Sequence, residues 1–349
     1  MPGPLSHIRV LDLSRVLAGP WAGQNLADLG AEVIKVERRG EGDDTRRWGP
    51  PNLMDADGRD TGEAAYYLAA NRGKRSIALD FAGPEGQRIV RALAAKCDIL
   101  IENYKVGGLA KYGLAYDDLK DSHDHLIYCS ITGFGQSGPY AERAGYDFMI
   151  QGMSGLMSIT GKPDESPGGG PVKVGVAVSD LFTGMYAVTA ILAALVHRER
   201  GGGGQHIDMA LLDCQVAMLA NQAMNYLTSG VSPGRLGNAH PNIVPYQAFP
   251  TADGHIIIAV GNDAQFARFC EAVGRPDLAA EPAYGDNSGR VKNRDVLVSA
   301  IAETLAEMNS EPLQAALDKA GISWGPINTI EQVFADPQVL ARGDRKSVV

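Results

Sequence analysis

The sequence predicts an α/β protein: a large doubly wound domain with a parallel sheet, followed by a smaller α+β domain. Three observations carry this expectation. Short apolar runs alternate with helix-spaced segments through the first 135 residues. Gly230–Pro245 has no apolar period and reads as a linker. From Tyr246 the composition changes to a hairpin signal followed by helices.

The elements follow in order. Ile8–Leu13 (IRVLDL) is short and apolar, as a strand covered on both faces should be. Ala22–Leu29 (AGQNLADL) has helical spacing and stops at Gly30, and Glu32–Glu37 (EVIKVE) is a second strand. Strand, helix and strand make a βαβ unit, whose crossover implies parallel pairing. Ser76–Leu79 and Asp98–Glu102 read as strands on either side of a helix over Pro84–Lys96, with proline in the first turn, where its missing N–H is harmless. Leu126–Ile131 is a further strand. Gly133–Gly138 (GFGQSG) and Pro163–Pro171 are too rich in glycine and proline to be anything but loops. Ser179–Arg198 reads as a helix with Ser179 as N-cap. After the Gly201–Gly204 run come a strand over Gln205–Ala210 and one long helix over Leu211–Ser229. Asp253–Gly254, between YQAFPT and HIIIAVG, is a hairpin turn, with helices over Asp263–Val273 and Asn293–Glu307 beyond it. The expected division is a large domain over 1–229, a linker over 230–245, a small domain over 246–325, and a second linker over 326–349 returning towards the large domain.

Composition excludes several classes of function. The 349 residues carry 32 Lys+Arg against 41 Asp+Glu, a net charge of −9. An acidic chain offers no electrostatic footprint for nucleic acid and no attraction to an anionic membrane surface. The start, MPGPLSHIRVLDLSRV, lacks the pattern of a signal peptide. No run reaches the roughly 18 apolar residues of a membrane span; the longest weakly charged stretch, Val174–Val196, reads as strand, turn and buried helix. Cys97, Cys129, Cys214 and Cys270 are scattered in apolar contexts without a CxxC, which suits reduced, buried thiols of a cytoplasmic protein. No His, Asp or Glu cluster has metal spacing.

Several constellations could carry chemistry. The turn after the first strand, LAGPWAG, is not G-x-G-x-x-G, so the opening suits a Rossmann-like fold without a dinucleotide, although Glu37 ends the second strand. Arg38, Arg39 and Arg46 sit in a loop with Gly40 and Gly42, which fits either a polyphosphate or a solvated basic loop. Asn71–Arg75 (NRGKR) is a second basic loop, and two such loops on one sheet favour an anionic ligand. Asp180 follows an apolar segment and opens an apolar helix, as either a helix-terminal charge or a nucleophile; backbone amides there would hold it as an anion. GFGQSG is not a G-x-S-x-G elbow, so no Ser-His-Asp triad is indicated. His197 and His206 lie beside charged or glycine-rich turns, whereas His240, in GNAHPNIVPY, is a candidate substrate residue.

Several long stretches follow one another in the chain: RVLDLSRVLAGPWAGQNLADLGAEVIKVERRGEGDDTR, NRGKRSIALD, DILIENYKVGGLAKYGL, ITGFGQSGPYAERAGYDFMIQGMSGLMSITG, VSDLFTGMYAVTAILAALVHRERGGGGQHIDMALLD and GNAHPNIVPYQAF. Taken in succession, they resemble the class III CoA-transferases, the CaiB/BaiF group, which includes formyl-CoA and carnitine CoA-transferases and, as relatives, α-methylacyl-CoA racemases. The resemblance implies an interlocked homodimer in the cytoplasm that takes acyl-CoA and a small carboxylic acid as substrates, with no permanently bound cofactor and no metal. It implies that Asp180 attacks the thioester to form a mixed anhydride and then an aspartyl-CoA thioester. Val16, Ala18, Arg38, Leu79, Asn103 and Tyr104 match positions lining the CoA site, and Tyr146 matches an aromatic position beside the reacting thioester. The racemases carry histidine where this chain has Tyr146, which favours the transferase over the racemase; a CoA-binding protein without turnover is the other alternative. GNAHPNIVPY stands where oxalate-using members have a longer glycine-rich loop, so succinyl-CoA or another dicarboxyl-CoA is the expected donor. Family members continue beyond the equivalent of Val349, so the resemblance implies that the family's C-terminal segment is absent after RKSVV.

Overall fold

The structure is a computed structural model and describes residues 3–343; RKSVV lies outside the described residues. The chain forms two compact units, Met1–Ser158 with Val172–Ser232, and Ile159–Pro171 with Pro233–Val349.

The first unit is built on a parallel six-stranded sheet. Its strands are β1 (Arg9–Asp12), β2 (Glu32–Glu37), β5 (Arg75–Ala78), β6 (Ile99–Glu102), β7 (Ile127–Thr132) and β8 (His206–Ala210), in the order β5-β2-β1-β6-β7-β8. A separate hairpin pairs β3 (Asn52–Met54) with β4 (Asp60–Ala64). The apolar runs are strands because helices cover both faces of the sheet. On one face Val10, Ile99, Ile101, Ile127 and Ile131 pack with Ala22 and Leu26 of the helix Ala18–Asp28 and with Ala187 and Ile191 of the helix Val178–Glu199. On the other, Leu11, Leu100 and Tyr128 pack with Val90 and Ala94 of the helix Pro84–Ala94. The chain runs outward from β1 through β2 to β5, then returns to β6 on the other side of β1. The carboxyl ends of β1 and β6 therefore flank the point where strand order reverses, the place at which an open parallel sheet leaves a crevice.

Several elements differ from expectation. The first helix starts at Ala18, because Pro20 fits a first turn. Residues 172–177 form no strand. The Val178–Glu199 helix is long and apolar enough to cross a bilayer, yet its Ala187, Ile191 and Ala194 side is buried against the sheet. The stretch expected as one helix over Leu211–Ser229 is two, Leu211–Met218 and Ala220–Ser229, broken where Ala220 takes a φ of 43°. Ser179 is not the N-cap; Ala177 is, and the Ser179 hydroxyl donates instead to Gln215 Oε1 at 2.6 Å.

The second unit holds an antiparallel sheet of β9 (Tyr246–Thr251), β10 (Gly254–Ala259) and β11 (Ser323–Gly325), ordered β11-β10-β9. Phe249, Ile256 and Ile258 pack with Phe266, Leu297 and Leu313 from the helices Asp263–Ala272, Arg294–Ala306 and Ser310–Ala320. Short helices Ile330–Ala335 and Pro337–Arg342 follow.

Candidate active site

A cavity of about 840 Å³ opens in the first unit at the switch point. Val16, Ala18, Arg38, Leu79, Asn103, Tyr104, Tyr146 and Asp180 all line it. Residues far apart in sequence meet there because each follows the carboxyl end of a strand or begins a helix pointing at that edge. His240 belongs to the second unit, where its Nδ1 accepts from the Asn242 N–H at 3.1 Å and its carbonyl from Arg294 Nη2 at 2.8 Å. Burial and Arg294 hold its pKa below the ordinary histidine value.

The loop after β1 is tightly held. The Arg15 N–H donates to Asn103 Oδ1 at 2.9 Å, and Asn103 Nδ2 donates back to the Arg15 carbonyl at 2.7 Å. Val16 has φ 71°, a conformation that a β-branched residue adopts only when its surroundings impose it. Tyr104 anchors the facing wall: its N–H donates to Glu102 Oε2 at 2.7 Å, its ring meets Phe81 edge-on, and the Arg15 guanidinium lies over it. Burial pushes Glu102 up to about 7.

Of the basic groups flagged in the sequence, the structure keeps few for a ligand. Arg46 Nε and Nη2 fork onto Glu37 at 2.8 and 2.9 Å, and its Nη1 reaches Glu63. Although burial raises the Glu37 pKa, this fork and the Ser76 hydrogen bond outweigh it and bring it to about 2. In the second basic loop Arg72 pairs with Asp28 and Arg75 with Glu32, while Lys74 is buried on Asp12. The polyphosphate reading of Arg46 and of the NRGKR loop is therefore corrected: Arg46, Arg72, Lys74 and Arg75 are held by carboxylates and none of them lines the cavity. Arg38 is different. It lines the cavity, and its pair with Glu41 leaves both side chains about half exposed.

Asp180 lies in the first turn of the Val178–Glu199 helix, but no hydrogen bond or ion pair reaches its carboxylate among the described residues. The cap comes from elsewhere. Asp147, which opens the helix Asp147–Met153, accepts the Ser179 N–H on Oδ1 at 2.8 Å and Gln151 Nε2 on its other oxygen at 2.7 Å. Burial first, and the Asp147 charge second, push Asp180 up to about 7. The expectation that the helix amides hold Asp180 as a ready anion is thus corrected: no amide reaches its carboxylate among the described residues, and desolvation and a like charge raise its pKa.

Sequence reasoning missed Tyr66 and Trp48. Tyr66 feels Asp180 and Asp147, which together with burial raise its pKa, and its ring meets Trp48 edge-on at 5.1 Å. Trp48 lines the cavity. The Asp57–Gly58 turn, with Gly58 at φ 76°, was the signal available for the hairpin that leads to Tyr66. The four cysteines are free and buried, and no group of three His, Cys, Asp or Glu among the described residues could hold a metal.

A crevice at the switch point of a parallel sheet, the exposed cations Arg38, Lys105, Lys111 and Arg143 in its lining, and the unpartnered carboxylate of Asp180 inside suit an enzyme that acts on an anionic substrate by nucleophilic attack. The comparisons make this specific. The model of CoA-transferase family III matches residues 5–348. The succinate–glutarate CoA-transferase of Agrobacterium fabrum is 58% identical over 342 residues, 98% of this chain and 84% of that protein. The human succinyl-CoA:glutarate CoA-transferase is 47% identical over 340 residues, 97% of this chain and 75% of that protein. A crystal structure of a CaiB/BaiF family protein from Brucella suis superposes with a TM-score of 0.85 at 56% identity, covering 98% of this chain and 89% of that one. The chain belongs to CoA-transferase family III. It is a CoA-transferase, an enzyme that moves CoA between acyl-CoA and carboxylic acids.

Proposed function

We propose that this enzyme moves CoA from succinyl-CoA, or a similar dicarboxyl-CoA, to a short dicarboxylic acid such as glutarate, through covalent intermediates on Asp180. The observation that carries the mechanism is the convergence of Asp180 and every expected CoA-site residue on one cavity. The substrate class rests on the names of the relatives, which act on succinate, glutarate and mesaconate.

An Asp180 oxygen attacks the thioester carbonyl, the C–S bond breaks, and CoA leaves as a thiolate, giving a mixed anhydride. The thiolate attacks the Asp180 carbonyl of that anhydride and expels the first acid as a carboxylate, leaving an aspartyl-CoA thioester. The acceptor carboxylate attacks this thioester, and the released thiolate then attacks the acceptor acyl carbon, freeing the new acyl-CoA and the Asp180 carboxylate. No net proton moves, so the site needs no histidine triad. Arg38 takes a CoA phosphate, exchanging Glu41 for it, and Tyr104 and Tyr146 flank the pantetheine and the acyl group.

The enzyme is a cytoplasmic homodimer in this reading. Four buried, unpaired cysteines favour a reducing compartment. Phe182, Met185, Tyr186 and Val196 leave an apolar stripe exposed on the Val178–Glu199 helix, as a face covered by a second copy would be.

Incubation with succinyl-CoA, followed by hydroxylamine or borohydride and peptide mass spectrometry, tests the mechanism. The expected result is a hydroxamate or a reduced residue at Asp180. Transfer without any trappable adduct would remove the covalent route, and exchange of an α-proton with solvent deuterium would point to the racemase instead.

A further inference from the structure

Val16 carries a cost that nothing in its own chemistry repays: glycine would take φ 71° freely, and valine does not. Three consecutive residues around it are pinned from outside. Lys35 Nζ donates to the Ser14 carbonyl at 2.8 Å. Asn103 brackets Arg15 on both its N–H and its carbonyl. The Val16 N–H points between the two oxygens of Asp43, 3.3 Å from each. Asp43 is itself fixed by Lys35 at 2.9 Å, with both side chains 1% exposed, and by the N–H and hydroxyl of Thr45 at 3.0 and 2.8 Å. The Lys35–Asp43 pair therefore holds two ends of one short loop, the Ser14 carbonyl through its cation and the Val16 N–H through its anion.

We propose that Asp43, clamped by Lys35, is a positioning residue for CoA: it holds Val16 in the left-handed conformation that shapes the β1 loop into the wall of the cavity. This rests on the reading of that cavity as the CoA site. A buried pair kept only for stability would gain nothing from gripping a strained peptide, and a loop free to relax would move Val16 towards extended backbone and change the wall that meets the ligand.

The test uses full-length protein and CoA itself, measured by titration calorimetry, with steady-state transfer kinetics alongside. Lys35→Met/Asp43→Ala removes both charges together, so neither is left buried alone. It is expected to weaken CoA at least tenfold and to raise KM for acyl-CoA far more than it lowers kcat. Val16→Gly, which adopts the left-handed region without strain but loses the valine side chain from the cavity wall, is the reference background: there, adding Lys35→Met/Asp43→Ala should weaken CoA by no more than about threefold. A purely structural role for the pair would cost as much in the glycine background as in wild type. Unchanged CoA affinity in the pair variant, or an equal loss in the two backgrounds, would overturn the proposal. If the pair variant does not fold, Asp43→Asn replaces it in both backgrounds: a smaller loss with glycine supports the proposal, and an equal loss refutes it. Arg38→Ala is the control for the cavity: if it leaves CoA binding untouched, the site reading has failed rather than the role of Asp43.

Discussion

Two carboxylates of the same unit, Asp12 fully buried and Asp180 partly buried, behave in opposite ways. Asp12, at the end of β1, is completely buried, yet its pKa lies below the ordinary value: burial raises it, but Lys74 and Lys35 outweigh that, helped by the Ser14 hydroxyl. Lys74 reaches Asp12 at 2.8 Å and also donates to the Pro20 carbonyl and to Asn71. Asp180 is less buried, has no cation, and faces Asp147, so it rises to about 7. The difference shows that burial alone does not set the role of a carboxylate. Where a lysine is supplied, the pair locks a loop; where no cation is supplied, desolvation and a like charge raise the carboxyl pKa, which suits the nucleophile proposed above.

The largest effect expected from this contrast is on turnover. Asp180→Asn keeps the shape of the side chain and, on the proposed covalent route, removes the attacking oxygen, so transfer should fall at least about 10⁴-fold while CoA still binds. Coupled assays and calorimetry on the same preparation read both. Residual transfer within tenfold of wild type would mean that Asp180 is only a charge at a helix end.

On the paired side, the prediction concerns stability. Lys74→Met leaves Asp12 buried without the cation that hydrogen-bonds it and should cost about 3–5 kcal/mol in urea unfolding, whereas Lys74→Met/Asp12→Leu should recover much of that loss. A cost below about 1 kcal/mol for the single variant would remove the distinction between the two environments.

Arg38 sharpens the comparison at the rim. Its bond to Glu41 is an exposed pair of the kind that contributes little, so the guanidinium can leave it for a phosphate. Arg38→Ala should weaken CoA about tenfold to hundredfold and leave the affinity for the acceptor acid unaltered.

How much of this was legible in the sequence follows from which interactions are local. The strands β1, β2, β6 and β7 were readable because helices cover both faces of the sheet, which turns their whole length apolar. The motif resemblance led to the lining of the cavity, from Val16 to Tyr146. The basic loops could not be read, because an arginine facing phosphate and one facing carboxylate look alike in sequence; Arg46 and Lys74 were settled by Glu37, Glu63 and Asp12, which lie up to 62 positions away. The state of Asp180 was misread for the same reason. Local reasoning sees the helix amides, while the burial and the Asp147 carboxylate that decide the sign are brought by tertiary packing.

The raised pKa of Asp180 makes two smaller predictions, linked in sign. If Asp180 is the nucleophile proposed above, it must be ionised, so kcat/KM for acyl-CoA should be level above about pH 7 and fall about tenfold per pH unit below it. Stability moves the other way. A carboxyl whose folded pKa exceeds its unfolded value of 3.8 binds its proton more tightly in the fold. It costs nothing below that unfolded value, and its penalty grows as pH rises towards 7 and is complete above it. Asp180→Asn removes the penalty, so the inactive variant should be more stable than wild type by about 1–2 kcal/mol at pH 8, after allowance for solvent screening, or a few degrees in Tm. Near pH 4 the two proteins should melt together. A variant less stable than wild type at pH 8 would show that Asp180 has a cation or donor partner after all, and would place it with Asp12 rather than opposite to it.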